Sequence, residues 1–328
     1  MSEAAGRSSL SIIIPCFNEE EVLAPLRARL LETLERLDLS WEVVCVDDGS
    51  SDRTLELLSN LHHQDERFKV VGLSRNFGHQ AAIAAGLRYA TGDAVTIMDA
   101  DLQDPPEVLT DCIQRWREGY DVIFAIRQSR PEGVLKRAAY KSFYRVLKAI
   151  ADIEVPLDSG DFCLMDRRVA DVLREMPERN IFMRGMRAWS GFRQIGVAYR
   201  RDPRIAGRTK YPAHKLFHLA FDGIISFSTL PLRLATWFGL LVVLLCFVAV
   251  GLVVIWRIFG LEFMGHTAKD IPGWAAGIVS VLFLGGVQLL ILGVMGEYLG
   301  RIYGEVKLRP RWVVRTALGF CRKPGQVE

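Results

Sequence analysis

The sequence lacks most of the devices that hold small secreted domains or zinc modules together. Its six cysteines, Cys16, Cys45, Cys112, Cys163, Cys246 and Cys321, are scattered and include no C-x-x-C pair. That excludes a zinc-ribbon spacing and a disulfide frame, and leaves buried or incidental thiols in a reducing compartment. The net charge is only +3 over 328 residues, too little for an obvious nucleic-acid binder. No internal repeat is present. Residues 1–9 form a short polar tail without the basic-then-apolar order of a signal peptide. Neither G-x-G-x-x-G nor a Walker lysine loop occurs, so the usual glycine cradles for phosphate are missing. What the chain has in excess is apolar residues, 50% of the total. That is high for a soluble α/β protein, and the surplus is concentrated near the C-terminus.

The first 130 residues alternate between two periodicities. Leu10-Ser11-Ile12-Ile13-Ile14-Pro15 reads as a buried strand ended by proline. A helical pattern follows through Leu23, Leu26, Leu30, Leu34 and Leu37, with Asn18 as its expected N-cap and the acids Glu19 to Glu21 in its first turn. Trp41 to Val46, Phe68 to Leu73, Val95 to Met98 and Ile123 to Arg127 read as further strands. Thr54 to Leu61 and His79 to Tyr89 read as helices. Strand and helix at this spacing predict right-handed βαβ units and a parallel sheet.

Three polar loops fall at strand ends: Phe17-Asn18-Glu19, Asp47-Asp48-Gly49 and Asp99-Ala100-Asp101. All are expected on one edge of the sheet, where open α/β folds bind ligands. Acids stand where phosphate-binding folds place glycines, so a phosphate has to arrive with a cation. Asp99 and Asp101, at i and i+2, point the same way on extended backbone. With the amide oxygen of Gln103 close by, they suit a hard divalent cation, Mg²⁺ or Mn²⁺, that keeps waters and binds substrate phosphates. Asp48 is placed for the ring or ribose of a nucleoside.

The motifs I-I-P-C-F-N-E-E, V-D-D-G-S-S-D-R-T, N-F-G-H-Q-A-A, M-D-A-D-L-Q-D-P-P-E and E-G-Y-D-V together resemble family 2 glycosyltransferases of GT-A fold. Later stretches agree: D-S-G-D-F-C-L-M-D-R-R, M-R-G-M-R-A-W-S-G-F, R-I-A-G-R-T-K-Y, F-S-T-L-P-L-R and G-E-Y-L-G-R-I-Y. The likeness is strongest to the polyprenyl-phosphate transferases, namely dolichol-phosphate mannose synthases and bactoprenyl-phosphate glucosyltransferases. It covers about residues 10–311.

The resemblance implies an α/β GT-A domain over residues 10–230. It also implies inverting transfer of a hexose from a nucleotide sugar to a polyprenyl phosphate. Pro15, Phe17, Glu19, Asp48, Asp99, Ala100, Asp101 and Arg127 would hold the nucleotide sugar, and Asp99, Asp101 and Gln103 the metal. Asp161 matches the family's catalytic acceptor-side Asp, with Asp158 a weaker candidate. Arg204 and Lys210 match the R-x-x-G-x-[ST]-K segment, whose basic residues meet phosphates once the loop closes. UDP-glucose is the favoured donor, with GDP-mannose and UDP-galactose open. A homo-oligomer is compatible with the pattern. Two other readings stay open: a membrane-tethered binding protein with a degenerate transferase domain, and a processive polysaccharide synthase. The Q-x-x-R-W motif of such synthases is absent.

Residues 131–150 interleave apolar positions with Lys136, Arg137, Lys141, Arg145 and Lys148, the pattern of a basic amphipathic helix on an anionic membrane. Residues 231–300 hold two uncharged apolar runs, read as transmembrane helices at about 235–257 and 274–297, since roughly 20 such residues span a bilayer. Trp237, Trp256 and Trp274 lie near their ends, as an aromatic belt does. Residues 301–328 read as a basic tail holding Arg301, Lys307, Arg309, Arg311, Arg315, Arg322 and Lys323. The positive-inside rule then places both termini and the catalytic domain on the cytoplasmic face.

Overall fold

A computed structural model describes residues 9–127, 159–179, 181–200, 230–259 and 273–320. The expected basic helix at 131–150, Asp158, the Arg204–Lys210 segment and the link between the apolar runs lie outside these. The chain divides into two units. One is Met1–Ala220 with Arg309–Glu328, and the other is Phe221–Leu308.

The first unit is an α/β sandwich in three layers. Its strands are β1 (Ser9–Cys16), β2 (Ser40–Asp47), β3 (Phe68–Leu73), β4 (Ala94–Ile97), β5 (Val122–Arg127), β6 (Ser159–Asp166), β7 (Gln194–Tyr199) and β8 (Val314–Leu318). They form one sheet in the order β7-β5-β6-β4-β1-β2-β3-β8. Strands β1 to β4 run parallel to their neighbours within that set, and β5 is parallel to β7. Strand β6 is antiparallel to β4 and β5, and β8 is antiparallel to β3. The sheet is therefore the expected Rossmann-like, mostly parallel one, with β6 and β8 as its antiparallel members.

Leu10, Ile12, Ile13 and Ile14 of β1 are fully buried, because helices cover both faces of the sheet. Ile12, Ile14, Val43 and Cys45 pack against α1 (Leu23–Leu34), α2 (Thr54–Gln64) and α4 (Val108–Arg117). On the other face, Ile13, Val44, Val46 and Val95 pack against α3 (His79–Tyr89), α5 (Arg167–Glu175) and α6 (Met183–Trp189). The run of small residues in α3 lets it lie close to the sheet. A Cβ on Gly86 would stand 2.4 Å from Ile13 Cγ2 and 3.0 Å from Val46 Cγ2.

Four of the six cysteines, Cys16, Cys45, Cys112 and Cys163, are buried free thiols. Burial pushes Cys45 up to about 12 and, with a smaller contribution from neighbouring Cys163, pushes Cys112 up to about 12. Both are inert thiols at neutral pH.

The expected basic tail is corrected in two ways. Helix α8 (Gly273–Val306) takes in residues 301–306. Beyond it, β8 returns to the sheet. Val70 pairs with Leu318, Gly72 with Thr316, and Ser74 N donates to Val313 O at 2.9 Å. Trp312, Val314 and Phe320 pack on the α3 side of the core, and the Phe320 ring lies 4.7 Å from that of Tyr89.

The second unit consists of α7 (Leu230–Phe259) and α8. Ala235 and Val242, two turns apart, are its buried positions among the described side chains. Leu240, Leu244, Phe247 and Leu289 are exposed apolar side chains. Among the described residues, one stretch is long and apolar enough to cross a bilayer, Phe283–Val306, with mean hydropathy 1.5, and α7 carries a shorter apolar stretch, Leu234–Val248.

Candidate active site

The sheet brings the three predicted loops together, since β4, β1 and β2 are neighbours and parallel. Their C-terminal ends share one edge. The first loop is laced to the second by its own polar groups. Asn18, at φ 54°, donates its N–H to Ser50 Oγ at 3.0 Å, and its Oδ1 accepts from Ser51 N at 2.8 Å. Glu19 N donates to Thr54 Oγ1 at 2.9 Å. Asn18 is thus not the cap of α1, which starts at Leu23 without a side-chain cap. The acids precede the helix, and Glu20 Oε2 accepts from Arg53 N at 3.1 Å.

Asp48 is 3% exposed. Its Oδ1 accepts from Phe77 N at 2.7 Å and its Oδ2 from Gly78 N at 2.9 Å. Both oxygens hold the start of α3. Burial raises its pKa, and these two backbone donors offset part of the rise. Gly49, at φ 67°, seals the arrangement: a Cβ there would stand 2.3 Å from the Arg75 carbonyl carbon.

In the third loop the chain leaves the strand at Ile97 and turns through 100–102. The extended geometry expected for Asp99 and Asp101 is therefore absent. Leu102 adopts φ 56° while buried to 1%, a strained conformation of the kind that clusters at functional sites. Asp101 Oδ1 accepts from Gln103 N at 3.1 Å. Asp104 is buried and accepts from the hydroxyl of Tyr199 on β7.

Asp161, near the start of β6, faces this loop. His79 Nε2, on the first residue of α3, lies 3.5 Å from Asp99 Oδ1 and 3.5 Å from Asp161 Oδ2. Arg184 Nε on α6 donates to Asp161 Oδ1 at 2.8 Å. Gln80 Nε2 donates to Asp161 Oδ2 at 3.1 Å. Burial alone would raise the Asp161 carboxyl. The His79 hydrogen bond and the Arg184 charge outweigh it and hold the group well below the usual carboxylate range. Asp99 goes the other way, up to about 6. Burial is the largest cause, His79 opposes it, and Asp161, Asp104 and Asp101 add repulsion. Burial lowers His79, but its bond to Asp161 and the charges of Asp99 and Asp161 win, so it is raised.

Among the described residues no three His, Cys, Asp or Glu side chains are grouped so as to hold a metal ion by themselves. Asp99 Oδ1 is buried and accepts no hydrogen bond among them. This oxygen, 3.5 Å from His79 Nε2 and with Asp161, Asp104 and Asp101 nearby, is a hard donor in a carboxylate-rich cluster. It fits a divalent cation whose remaining positions go to water and substrate phosphate.

The other expected residues fall as follows. Pro15 is buried within β1 opposite Val46. Phe17 and Glu19 are half-buried at the strand end, and Ala100 is 4% exposed. Arg127 closes β5 opposite Tyr199. Arg204 and Lys210 lie outside the described residues. His79, Gln80 and Arg184 were not assigned roles from the sequence. The first two stand in the N-F-G-H-Q motif and Arg184 in M-R-G-M-R-A-W-S-G-F, but only the tertiary fold brings α6 to β6.

Residues 11–174 match the family model described as Glycosyl transferase family 2. The chain is 46% identical over 312 residues to an uncharacterized glycosyltransferase of Synechocystis, covering 95% of this chain and 96% of that one. It is 40% identical over 309 residues to the SfII prophage-derived bactoprenol glucosyl transferase of Shigella flexneri, covering 94% and 98%. It is 39% identical over 307 residues to a prophage bactoprenol glucosyl transferase homolog of Escherichia coli, covering 93% and 98%. Among solved structures, a mannosyltransferase of Pyrobaculum calidifontis in complex with GDP-Man and Mn²⁺ aligns with TM-score 0.43 at 21% identity, covering 66% of this chain and 62% of that one.

Proposed function

The chain belongs to glycosyl transferase family 2, and from that premise we propose that it transfers glucose from UDP-glucose to a polyprenyl phosphate such as undecaprenyl phosphate at a membrane surface. The observation that carries the proposal is the convergence on His79. One carboxylate, Asp99, stands on the loop expected to face the diphosphate, and another, Asp161, on the acceptor-side strand; His79 Nε2 lies 3.5 Å from each. Near full-length likeness to bactoprenol glucosyl transferases supports the lipid acceptor and the sugar.

Mg²⁺ or Mn²⁺ would be held by Asp99 and Asp101, with Gln103 beside them, and would serve as a Lewis acid for the diphosphate leaving group. The other contributions belong to the chain. The loops after β1, β2 and β4 form the crevice for the nucleotide sugar. The acceptor oxygen attacks the anomeric carbon opposite the diphosphate, so configuration inverts. An alcohol acceptor would need a base, but a phosphate monoester has a second pKa near ~6 and arrives largely dianionic. That agrees with the state of Asp161. A carboxylate held far below neutrality is a poor base at pH 7, and one fixed by Arg184 and Gln80 is suited to orienting the groups around it. Bringing a dianion beside a diphosphate is the harder task. Arg204, Lys210 and Arg127 are the cations proposed to offset that repulsion.

Strands β7 and β8 belong to one sheet and flank α7 and α8 in the chain. That return to one sheet supports an even number of crossings by the chain between them. Two crossings, by α7 and α8, agree with helices of 30 and 34 residues, each long enough at about 1.5 Å per residue for a ~30 Å core. The catalytic unit would then face the cytoplasm. The acceptor's hydrocarbon stays in lipid, so the site needs only the phosphate at the surface.

The test is direct. Membranes containing the protein are incubated with undecaprenyl phosphate and, separately, UDP-glucose, GDP-mannose and UDP-galactose, and the lipid product is weighed. A hexose adduct formed from UDP-glucose alone is the expected result. Turnover of no nucleotide sugar would refute the enzyme reading.

A further inference from the structure

We propose that Gln80 positions Asp161 for transfer, by holding at once the carboxylate and the helix that carries its arginine. The proposal rests on the glucosyl-transfer reading above and deepens it.

The Gln80 side chain has one donor end and one acceptor end, and both are used across the site. Nε2 donates to Asp161 Oδ2 at 3.1 Å. Oε1 accepts from Met183 N at 3.0 Å. Met183 is the first residue of α6, and Phe182 before it supplies no side-chain cap, so Gln80 satisfies an amide that the helix itself leaves open. The next residue, Arg184, donates to Asp161 Oδ1 at 2.8 Å and, more weakly, to Oδ2 at 3.4 Å. One amide thus fixes both partners of the Arg184–Asp161 pair from a third element, α3.

The start of α3 is itself tied to the nucleotide side. Asp48 holds the N–H groups of Phe77 and Gly78, and Asp48 N donates to Cys16 O at 2.9 Å. A rigid path therefore runs from the ends of β1 and β2 through Gln80 to Asp161. Gln80 needs no contact with substrate for this role. It sets the angle at which Asp161 meets the acceptor side, and a displacement of about 1 Å at such a group is enough to cost on the order of a hundredfold in rate.

Two substitutions separate positioning from simple helix capping. Gln80→Glu keeps an oxygen for Met183 N but turns the donor toward Asp161 into a second acceptor. Gln80→Met keeps the volume and removes both hydrogen bonds. The full-length protein is assayed in membranes with UDP-glucose and undecaprenyl phosphate, beside its thermal melt in detergent. The expected result is a Gln80→Glu variant that melts within a few degrees of wild type, with kcat lowered by about tenfold or more and the KM for the nucleotide sugar within about twofold. Gln80→Met is expected to show the same kcat loss, and it decides the matter if Gln80→Glu does not fold. Wild-type kcat in the folded variants, with or without a lowered melt, would overturn the proposal and leave Gln80 a cap. A rise in donor KM at unchanged kcat would overturn it too, by placing Gln80 on the donor side. If wild type is inactive with UDP-glucose but active with another nucleotide sugar, the glucose reading fails and the Gln80 comparison is made with that donor.

Discussion

Arg184 Nε donates to Asp161 Oδ1 at 2.8 Å, and this pair sets the charge of the acceptor side. Asp161→Asn keeps the shape and removes the charge. Turnover is expected to fall by two orders of magnitude or so, with the KM for the nucleotide sugar nearly unchanged. Collapse of donor affinity with turnover preserved at saturation would assign Asp161 to the donor site instead.

The same pair has a consequence for acid stability. The folded Asp161 carboxyl lies well below its unfolded value of about 3.9. A depressed acid adds stability that is complete above the unfolded value and is lost as pH falls through the folded one. Arg184→Ala should narrow that gap, so its melting temperature should match wild type more closely at pH 3 than at pH 7. A constant difference across the range would mean that Arg184 contributes packing and no charge.

Asp99 behaves in the opposite sense. Its folded value is raised to about 6 against about 3.9 unfolded, so its protonated form stabilises the fold at low pH. That contribution fades as pH rises through about 6, a difference on the order of 1–3 kcal/mol. A divalent cation needs the carboxylate. Mn²⁺ or Mg²⁺ should therefore raise the melting temperature clearly at pH 7.5 and little at pH 5, and Asp101→Ala should abolish both the gain and turnover. An equal gain at both pH values, or full activity in excess EDTA, would rule out these carboxylates as the metal site.

Much of this was legible in the residues, and the failures have physical causes. Buried strands such as Leu10–Ile14 announce themselves as apolar runs, and the loops that end them carry acids in an order few turns share. Helix α3 fell where the pattern put it, at His79 to Tyr89. Strand direction was not legible, because β6 reads alike whether it runs parallel or antiparallel to β4. The anchoring role of Asp48 was not legible for a related reason: the backbone N–H groups it satisfies lie 29 and 30 residues away. Arg184 and Gln80 stand in recognisable motifs, but their pairing with Asp161 was hidden for the same cause, since it lies 23 and 81 residues distant. Strand β8 was hidden by composition: Val-Arg-Thr-Ala-Leu among basic residues looks like tail until a sheet edge is there to receive it.

The segment from Arg204 to Lys210 lies outside the described residues and keeps the role its pattern implies. Lys210→Ala should lower turnover strongly, since its charge is proposed to meet the leaving diphosphate, and Arg208→Ala should matter less. Donor plus metal should also protect the segment from trypsin. Equal cleavage with and without donor would rule out closure of this loop while leaving the charge role of Lys210 to the kinetics.

The last expectation concerns the end of the chain. Strand β8 covers the edge of β3, and Phe320 packs beside Tyr89. Ending the chain after Leu308 should leave β3 as an open edge, prone to pair with other chains, and remove Trp312, Val314 and Phe320 from the core. Loss of folding or aggregation is expected, and the milder Phe320→Ala should cost about 1–3 kcal/mol, below the full-core value because the ring is half-buried. Because β8 ties the residues after α8 to the catalytic sheet, two crossings are the proposed topology. Leu308, 88% exposed at the end of the second unit, should lie on the cytoplasmic side, and Thr267, between α7 and α8, on the other. In a Cys246→Ser background, a membrane-impermeant thiol reagent added to intact cells should label Thr267→Cys and spare Leu308→Cys. Labelling of both, or of neither, would place the two positions on one side and exclude a pair of crossings with one end each at residues 267 and 308. A truncated chain that still folds and turns over would show that β8 is dispensable, and the parity argument for two crossings would then lose its anchor.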